Sequence, residues 1–301
     1  MSLRVVVLGS AAGGGVPQWN CGCPVCALAW SGDARVARRT QSSLAVTLDG
    51  ENYALVNASP DLRQQIIANS VLHPRNVLRD SPIRSVIVTN ADVDHVAGLL
   101  TLRERQAIAL HATAGTLAVL GANAIFNVMA ADLVERRTIA LNVPFAPLDK
   151  LAVTAFPLPG KVALWLEGDH VEVGGESETT VGLEFDADGR RIVYAPGCSQ
   201  VTDALLERVE GAAVLFFDGT TFTDDEMIAQ GLSQKTARRM GHTSMSGPDG
   251  ALKRFAGVEV GRKIFIHINN SNPALVAGSA ERRFVEEAGW ELAFDGMEVV
   301  P

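Results

Sequence analysis

Short apolar runs closed by glycine, asparagine or aspartate recur along this chain. They alternate with stretches in which apolar residues return every three or four positions. The runs at 5–8, 85–88, 214–217 and 263–266 are continuous and predict buried strands. Residues 43–48 and 53–57 predict a hairpin around Asp49-Gly50, and 180–185 and 191–195 a second one around Asp186-Ala187-Asp188-Gly189. Further short strands are expected at 139–141, 151–156, 164–166 and 297–300. Helical spacing opens after Ala58-Ser59-Pro60-Asp61, with Ile66, Ile67 and Val71 on one face, and covers 96–106, 114–129, 201–209 and 281–288. Some neighbouring strands are joined by hairpins and others by helices, in both halves. That fits two sheets with helices outside, a four-layer α/β/β/α sandwich. No linker or repeat interrupts the pattern, so residues 1–301 are expected to form a single domain.

Composition adds exclusions. The 301 residues are 47% hydrophobic and 20% charged, ordinary for a chain with a full core. A net charge of -8 argues against nucleic acid or a membrane surface as partner. The N-terminal apolar run is too short for a secretory signal, and the richest later stretch, 117–134, is broken by Asn123, Asn127 and Asp132. A cytoplasmic location is the expectation. Four cysteines do not make a disulfide framework in a chain this long, but three of them lie within Cys21-Gly22-Cys23-Pro24-Val25-Cys26, which points to metal.

Those thiolates can hold a structural zinc with a fourth ligand from elsewhere. The plainer alternative is three buried thiols. Cys198 stands alone and reads as a buried thiol. The strand at 85–88 runs into Thr89-Asn90-Ala91-Asp92-Val93-Asp94-His95, where two carboxylates and an imidazole crowd a strand's C-terminal end. Such a set suits a divalent metal, or else forms an acidic turn in which Asp94 caps a helix. Gly9-Ser10-Ala11-Ala12-Gly13-Gly14-Gly15-Val16-Pro17 lets backbone approach a ligand closely, or is simply a flexible turn; it is not a Walker loop. Asp218 and His267 each end a buried strand, and His242 sits in a loop, Gly241-His242-Thr243-Ser244-Met245. Asp218 as a turn residue and His242 as a cap or a surface group are the bland alternatives.

Thr89-Asn90-x-Asp92-x-Asp94-His95-x-x-Gly98-Leu99 resembles the Thr-His-x-His-x-Asp-His-x-x-Gly-Leu loop of the metallo-β-lactamase superfamily, whose fold is the same four-layer sandwich. The resemblance extends over nearly the whole chain. The glycine run, the three cysteines, Asn57-Ala58-Ser59-Pro60-Asp61-Leu62-Arg63 and Phe294-Asp295-Gly296-Met297-Glu298 are similar to segments of the phosphonate-pathway cyclic phosphodiesterases. The metal loop taken with the His242 loop and His267-Ile268-Asn269-Asn270-Ser271-Asn272-Pro273 resembles the branch that works in the biosynthesis of pyrroloquinoline quinone (PQQ).

The departures from the superfamily pattern shape what this resemblance implies. The first half of its two-metal site is dismantled: Asn90 and Asp92 replace histidines, a third histidine position falls near Pro159-Gly160-Lys161, and the bridging aspartate falls near Gly197. The second half persists as Asp94, His95 and His267. Two histidines and one carboxylate with open positions are the ligand set of mononuclear Fe(II) oxygenases. Asp92 or Asp218 is a candidate further ligand, or orients a histidine. The cysteine zinc loses its usual histidine to Asn270, a poor ligand, so water or a bound thiol competes for that position.

The resemblance implies an Fe2+, O2-dependent hydroxylase acting on the tyrosine ring of the crosslinked Glu-Tyr precursor of PQQ, with Zn2+ an alternative occupant as isolated. His242 and Asp92 are the candidate catalytic residues; His242 would be general acid or base or would hold carboxylates, and Arg63 and Arg103 are candidates for carboxylate recognition. Expected partners are PQQ or its precursor, O2 and other proteins of the pathway. The alternatives are a carrier moving PQQ or a precursor towards the periplasm, and a single-zinc hydrolase.

Overall fold

The computed structural model describes residues 2–75, 77–167 and 173–301. The first part of the chain supplies β1 (Arg4–Gly9), β2 (Ser43–Thr47), β3 (Tyr53–Val56), β4 (Ile83–Ile87), β5 (Ile108–Ala112) and β6 (Val134–Thr138). Then follow β7 (Pro144–Leu148), β8 (Leu151–Gly160), β9 (Gly175–Ala187), β10 (Arg190–Ala195), β11 (Val214–Asp218), β12 (Arg262–Ile266) and β13 (Trp290–Leu292), before the chain returns as β14 (Glu298–Val299). One sheet has the order β14-β1-β2-β3-β4-β5-β6 and the other β13-β12-β11-β10-β9-β8-β7. Helices cover the outer faces, giving the four-layer sandwich that the strand and helix pattern predicts.

Alternation along the strands builds the layers. Val5 and Val7 of β1 pack into the core between the sheets, with Val214 and Phe216 of β11. Their neighbours turn the other way: Val6 and Leu8 meet Leu62 and Leu120 on the helix side of the first sheet. Leu215 and Phe217 meet Leu205, Phe255 and Trp290 on the helix side of the second. Because successive side chains point to opposite faces, a strand covered on both sides must be apolar throughout, which is why these runs lack a polar alternate.

Both sheets contain a parallel block, β3 to β6 and β10 to β13. In α/β sheets ligands gather beyond the carboxyl ends of such strands, and here β4, β11 and β12 all deliver polar residues there. The sheets are tied at this edge, where Ala12 N donates to Ile268 O (2.9 Å) and Val181 N to Thr89 O (3.0 Å). The chain's two ends are also bound together. Val5 of β1 lies opposite Val299 of β14. The Asp295 carboxylate accepts from Ser10 N (3.0 Å), Ser10 Oγ (2.8 Å), Thr40 N (2.7 Å) and Thr40 Oγ1 (2.7 Å).

Several local expectations are corrected. Residues 139–141 lie between β6 and β7 rather than in a strand, and Leu164–Leu166 is a helical turn, closed by Leu166 N on Ala163 O (2.8 Å). The predicted helix at 96–106 becomes a short helix, Val93–Val96, and a 3₁₀ stretch, Ala97–Leu102. There Gly98 is pressed against backbone: its N–H bonds Ala58 O (2.8 Å), and a Cβ would lie 2.1 Å from Ser59 O. β5, β6, β7 and β13 were not anticipated. β6 reads Val-Glu-Arg-Arg-Thr, a charged edge strand without an apolar run. Among the described residues no helix is long and apolar enough to cross a membrane.

Candidate metal centre

β4 leads through Val88 to Thr89, whose backbone N–H donates to Asn57 Oδ1 (2.9 Å). Asp92 is the N-cap residue of helix Val93–Val96, and its side chain makes no capping bond. The helix therefore does not consume the acidic groups as caps. It lifts Asp94 and His95 towards His267, the residue after β12, which holds the left-handed backbone conformation at φ 58°. That conformation is unfavourable for a residue with a Cβ and is typical of sites whose surroundings impose it.

Asp94 Oδ2 lies 3.1 Å from His267 Nε2 and 3.7 Å from His95 Nε2. One donor atom from each of the three residues falls within 4.8 Å of the others. His95 Nε2 is buried and has no hydrogen-bond partner among the described residues. An orphaned imidazole nitrogen aimed at a carboxylate and a second imidazole is what a metal ligand looks like without its ion, so the residues fit a divalent cation.

The opposite edges of the two rings are fixed by threonine hydroxyls. The Thr89 hydroxyl has Asn57 Oδ1 as acceptor (3.1 Å), leaving a lone pair for His95 Nδ1–H (3.3 Å). The Thr220 hydroxyl donates to Asp218 Oδ1 (2.7 Å) and accepts from His267 Nδ1–H (3.0 Å). With the Nδ1 protons assigned to these hydroxyls, each Nε2 is the nitrogen left to face a cation, the arrangement usual beside metal-bound histidine. Burial opposes the Asp94 charge, but His95 and His267 outweigh it and hold the carboxyl well below the usual range. Burial pushes His95 down against the pull of Asp94. At His267 burial is overcome by the bond to Asp94 and by Asp218, which raise it.

A second constellation shares His267. Asp218, fully buried at the end of β11, accepts from Thr220 N (3.0 Å) and Cys198 N (3.0 Å) and meets His242 Nδ1 at 2.8 Å. It is therefore no mere turn residue. The His242 ring stacks on His267 at 5.2 Å between centroids, with an interplanar angle of 23°. Both rings line a cavity of about 400 Å³ that also exposes Asn90, Asp92, Lys161 and Lys235. Asp92 reaches the cavity wall but stands outside the two compact three-residue groups of this cavity, Asp94/His95/His267 and Asp218/His242/His267.

The expected arginines are not there. Arg63 is exposed away from the cavity lining, and Arg103 bonds Leu100 O (3.0 Å) and pairs with Glu104 (3.5 Å). The cations on the cavity wall are lysines that no sequence pattern marked. The glycine run does approach the site: Gly13 lines the cavity, and a Cβ there would sit 3.5 Å from the Asp94 carboxylate.

Cys21, Cys23 and Cys26 converge at the start of helix Pro24–Ser31 and are not joined by disulfides. Asn270, three residues after His267, closes the group. Its side-chain amide nitrogen lies 3.1 Å from Cys21 Sγ, 3.8 Å from Cys23 Sγ and 3.2 Å from Cys26 Sγ. A half-turn of that amide puts Oδ1 in the same place, so the fourth corner can present an oxygen to a metal. Burial pushes the Cys23 thiol up to about 12, a cost that a cation among the sulfurs would remove. Cys198 is fully buried, donates its thiol to Gln200 O (3.0 Å) and joins neither metal group.

Residues 52–268 match the family model described as a beta-lactamase superfamily domain. Coenzyme PQQ synthesis protein B of Methylobacterium nodulans is 58% identical over 295 residues, covering 98% of this chain and 99% of that protein. The protein of the same name from Rhizobium meliloti is 51% identical over 297 residues, covering 99% and 97%. The crystal structure of Zn(2+)-bound PqqB from Methylobacterium extorquens superimposes with a TM-score of 0.97 at 57% identity, over 98% of this chain and 99% of that one. A diphosphatase from the PhnP family shares the fold, with a TM-score of 0.69 at 21% identity over 100% and 98% of the two chains.

Proposed function

The chain belongs to the beta-lactamase superfamily and, within it, to the coenzyme PQQ synthesis protein B family, and we propose that its step in PQQ biosynthesis is the Fe2+, O2-dependent hydroxylation of the tyrosine ring of a crosslinked Glu-Tyr precursor. The observation that carries this reading is the unpartnered His95 Nε2 beside Asp94 and His267 on a cavity wall. These are two imidazoles and one carboxylate, while Asn90 and Asp92 stand where a second metal would need histidines. A hydrolytic pair of ions lacks its first-half ligands. A single ion held on one face keeps positions free, as O2 chemistry requires.

Asp94, His95 and His267 would hold the ion, and Fe2+ bound there would activate dioxygen, one oxygen atom entering the ring and the other leaving as water with two electrons drawn from an external reductant. The protein's own residues do the rest. Thr89 and Thr220 keep both ligand rings in one tautomer and orientation. Asp218 fixes His242 through Nδ1, which leaves Nε2 as the free nitrogen of a ring on the cavity wall. From there His242 can take the phenol proton as the ring is attacked and return it later, with buried Asp218 stabilising the imidazolium. Asp92, on the same wall, is a carboxylate within the reach of a bound substrate rather than a ligand. Cys21, Cys23, Cys26 and Asn270 would hold a structural zinc that fixes the loop behind Gly13. Residues 1–301 are read as one domain, because β1 and β14 share a sheet, and a cytoplasmic location goes with the reading.

The test is anaerobic purification, reconstitution with Fe(II), and metal analysis with O2 uptake on addition of the precursor and a chemical reductant such as ascorbate, for the parent and His95→Ala. One zinc and one iron in the parent, with iron and O2 uptake both lost in the variant, are expected. Zinc alone, with precursor bound but no O2 consumed, would replace the hydroxylase with a carrier.

A further inference from the structure

Three charged groups on the cavity wall are used by none of this chemistry. Lys161 follows β8, and Thr180 Oγ1 donates to its carbonyl (3.2 Å). Its stem packs over Gly241, where a Cβ would lie 3.2 Å from Lys161 Cγ, directly before His242. Its ammonium meets Glu167 Oε1 at 2.7 Å, and Lys235 Nζ meets the other oxygen, Oε2, at 3.2 Å. Lys161 and Glu167 are almost buried, at 10% and 11% side-chain exposure, and Lys235 is the more open at 37%. The segment bearing Lys161 and Glu167 is pinned to the metal loop, since Trp165 Nε1 donates to Ala91 O (3.1 Å).

One lysine would be enough to neutralise one buried glutamate. Among the described residues Glu167 is the only carboxylate that pairs with Lys161 or Lys235, so two ammonium groups share one carboxylate on the wall of the cavity that holds His95, His242 and His267. Lysine is strongly hydrated, and burying its charge is costly without a matching anion. A carboxylate from a ligand would complete two pairs.

We propose that Lys161 and Lys235, held apart by Glu167, form the subsite that recognises a carboxylate group of the substrate and so aim its ring at the metal centre. This rests on the reading of the cavity as the substrate site, but it does not require that the reaction be a hydroxylation.

Binding is measured calorimetrically on the zinc-loaded protein, where no turnover intrudes, with glutamyl-tyrosine and its fully amidated counterpart as probes. The parent is expected to prefer the acid. Lys161→Met should weaken the acid about tenfold, the worth of a charge-assisted hydrogen bond, and leave the amide nearly unchanged. Lys161→Arg should keep the preference. Glu167→Gln should tighten the acid several-fold, because the competing anion is gone; this variant carries the test if Lys161→Met fails to fold. Loss of both probes alike in Lys161→Met, an acid preference unaltered by it, weaker acid binding in Glu167→Gln, or a parent that binds neither probe overturns the proposal. Absence of O2 uptake with the acid preference intact would instead remove the hydroxylase reading and leave the carboxylate subsite standing.

Discussion

Replacing Thr220 by valine probes the device that orients His267 in the proposed metal site. Valine keeps the side chain's shape and the backbone N–H that donates to Asp218 Oδ1 at 3.0 Å. What disappears is a buried hydroxyl lying 2.7 Å from Asp218 Oδ1, 3.0 Å from His267 Nδ1 and 3.1 Å from His242 Nδ1. His242 keeps Asp218 as its partner, whereas His267 Nδ1–H is left without an acceptor. An unsatisfied buried donor costs about 1–3 kcal/mol, and the charge-assisted bond lost at Asp218 is of similar worth. Because the two share one hydroxyl they do not add fully, so the metal-free variant should lose about 2–4 kcal/mol of stability. Metal affinity should fall about 10- to 100-fold, the usual effect of removing the group that orients a coordinated histidine.

The assay is competition with a chromophoric chelator for zinc at pH 7.5, reading the second equivalent bound. The cysteine cluster is expected to take the first and to serve as an internal reference that Thr220→Val must leave alone. Thr220→Ser should stay within about threefold of the parent, since it keeps the hydroxyl. If Thr220→Val binds the second zinc as tightly as the parent while His267→Ala does not, the ring is oriented by something other than the threonine, and the account of the site's preorganisation fails.

Other outcomes follow from the same geometry. Asn270→Ala should loosen the metal of the cysteine site about tenfold or more, whereas Asn270→His, which offers a stronger donor, should retain it; equal zinc retention in both would show that Asn270 is not the fourth corner. Asp218→Asn places an amide among donors from Thr220, Cys198 and His242, so some N–H must face another N–H; O2 uptake with the precursor should fall about 100-fold, and unchanged initial rates would remove Asp218 from the mechanism. Burial pushes the Glu226 carboxyl from its ordinary 4.5 up to about 7. The native state then holds a proton that the unfolded chain has released. This stabilisation is complete below pH 4.5, declines between the two values, and is lost once the pH has risen through 7. The loss is about 3 kcal/mol at 1.36 kcal/mol per pH unit. Urea unfolding at pH 5 and pH 8 should show it in the parent and not in Glu226→Gln; an equal drop in both would assign it elsewhere.

Much of the metal site is legible before folding because its chemistry is rare and local. Asp94 and His95 are adjacent in one loop, His267 ends an apolar run, and three cysteines crowd six positions. The supporting groups are not legible in this way. Thr89 and Thr220 are ordinary hydroxyls until β4, β11 and β12 are set side by side. Lys161 and Glu167, six residues apart, are joined by Lys235 from 68 residues further on with no spacing to announce them, while Arg63 and Arg103 had the right charge and face elsewhere. The fold shows the same division. Continuous apolar runs declare the central strands, whereas β6, charged and at an edge, owes its strand geometry to its neighbour β5. The helix expected at 96–106 yields to the close backbone approach at Gly98.

The pairing of β1 with β14 and the four bonds of Asp295 to Ser10 and Thr40 have a consequence for how the protein is made. Ser10 leaves the ribosome 285 residues before the aspartate that holds it. Through most of synthesis the first strand has an open edge, and the glycine run that follows it lacks its anchor. Since Gly13 flanks Asp94, and His267 itself comes late, the Asp94/His95/His267 group is complete only when synthesis is nearly over. A ribosome stalled shortly before Asp295 would display a chain with most of its core strands and without the bonds that anchor the glycine run.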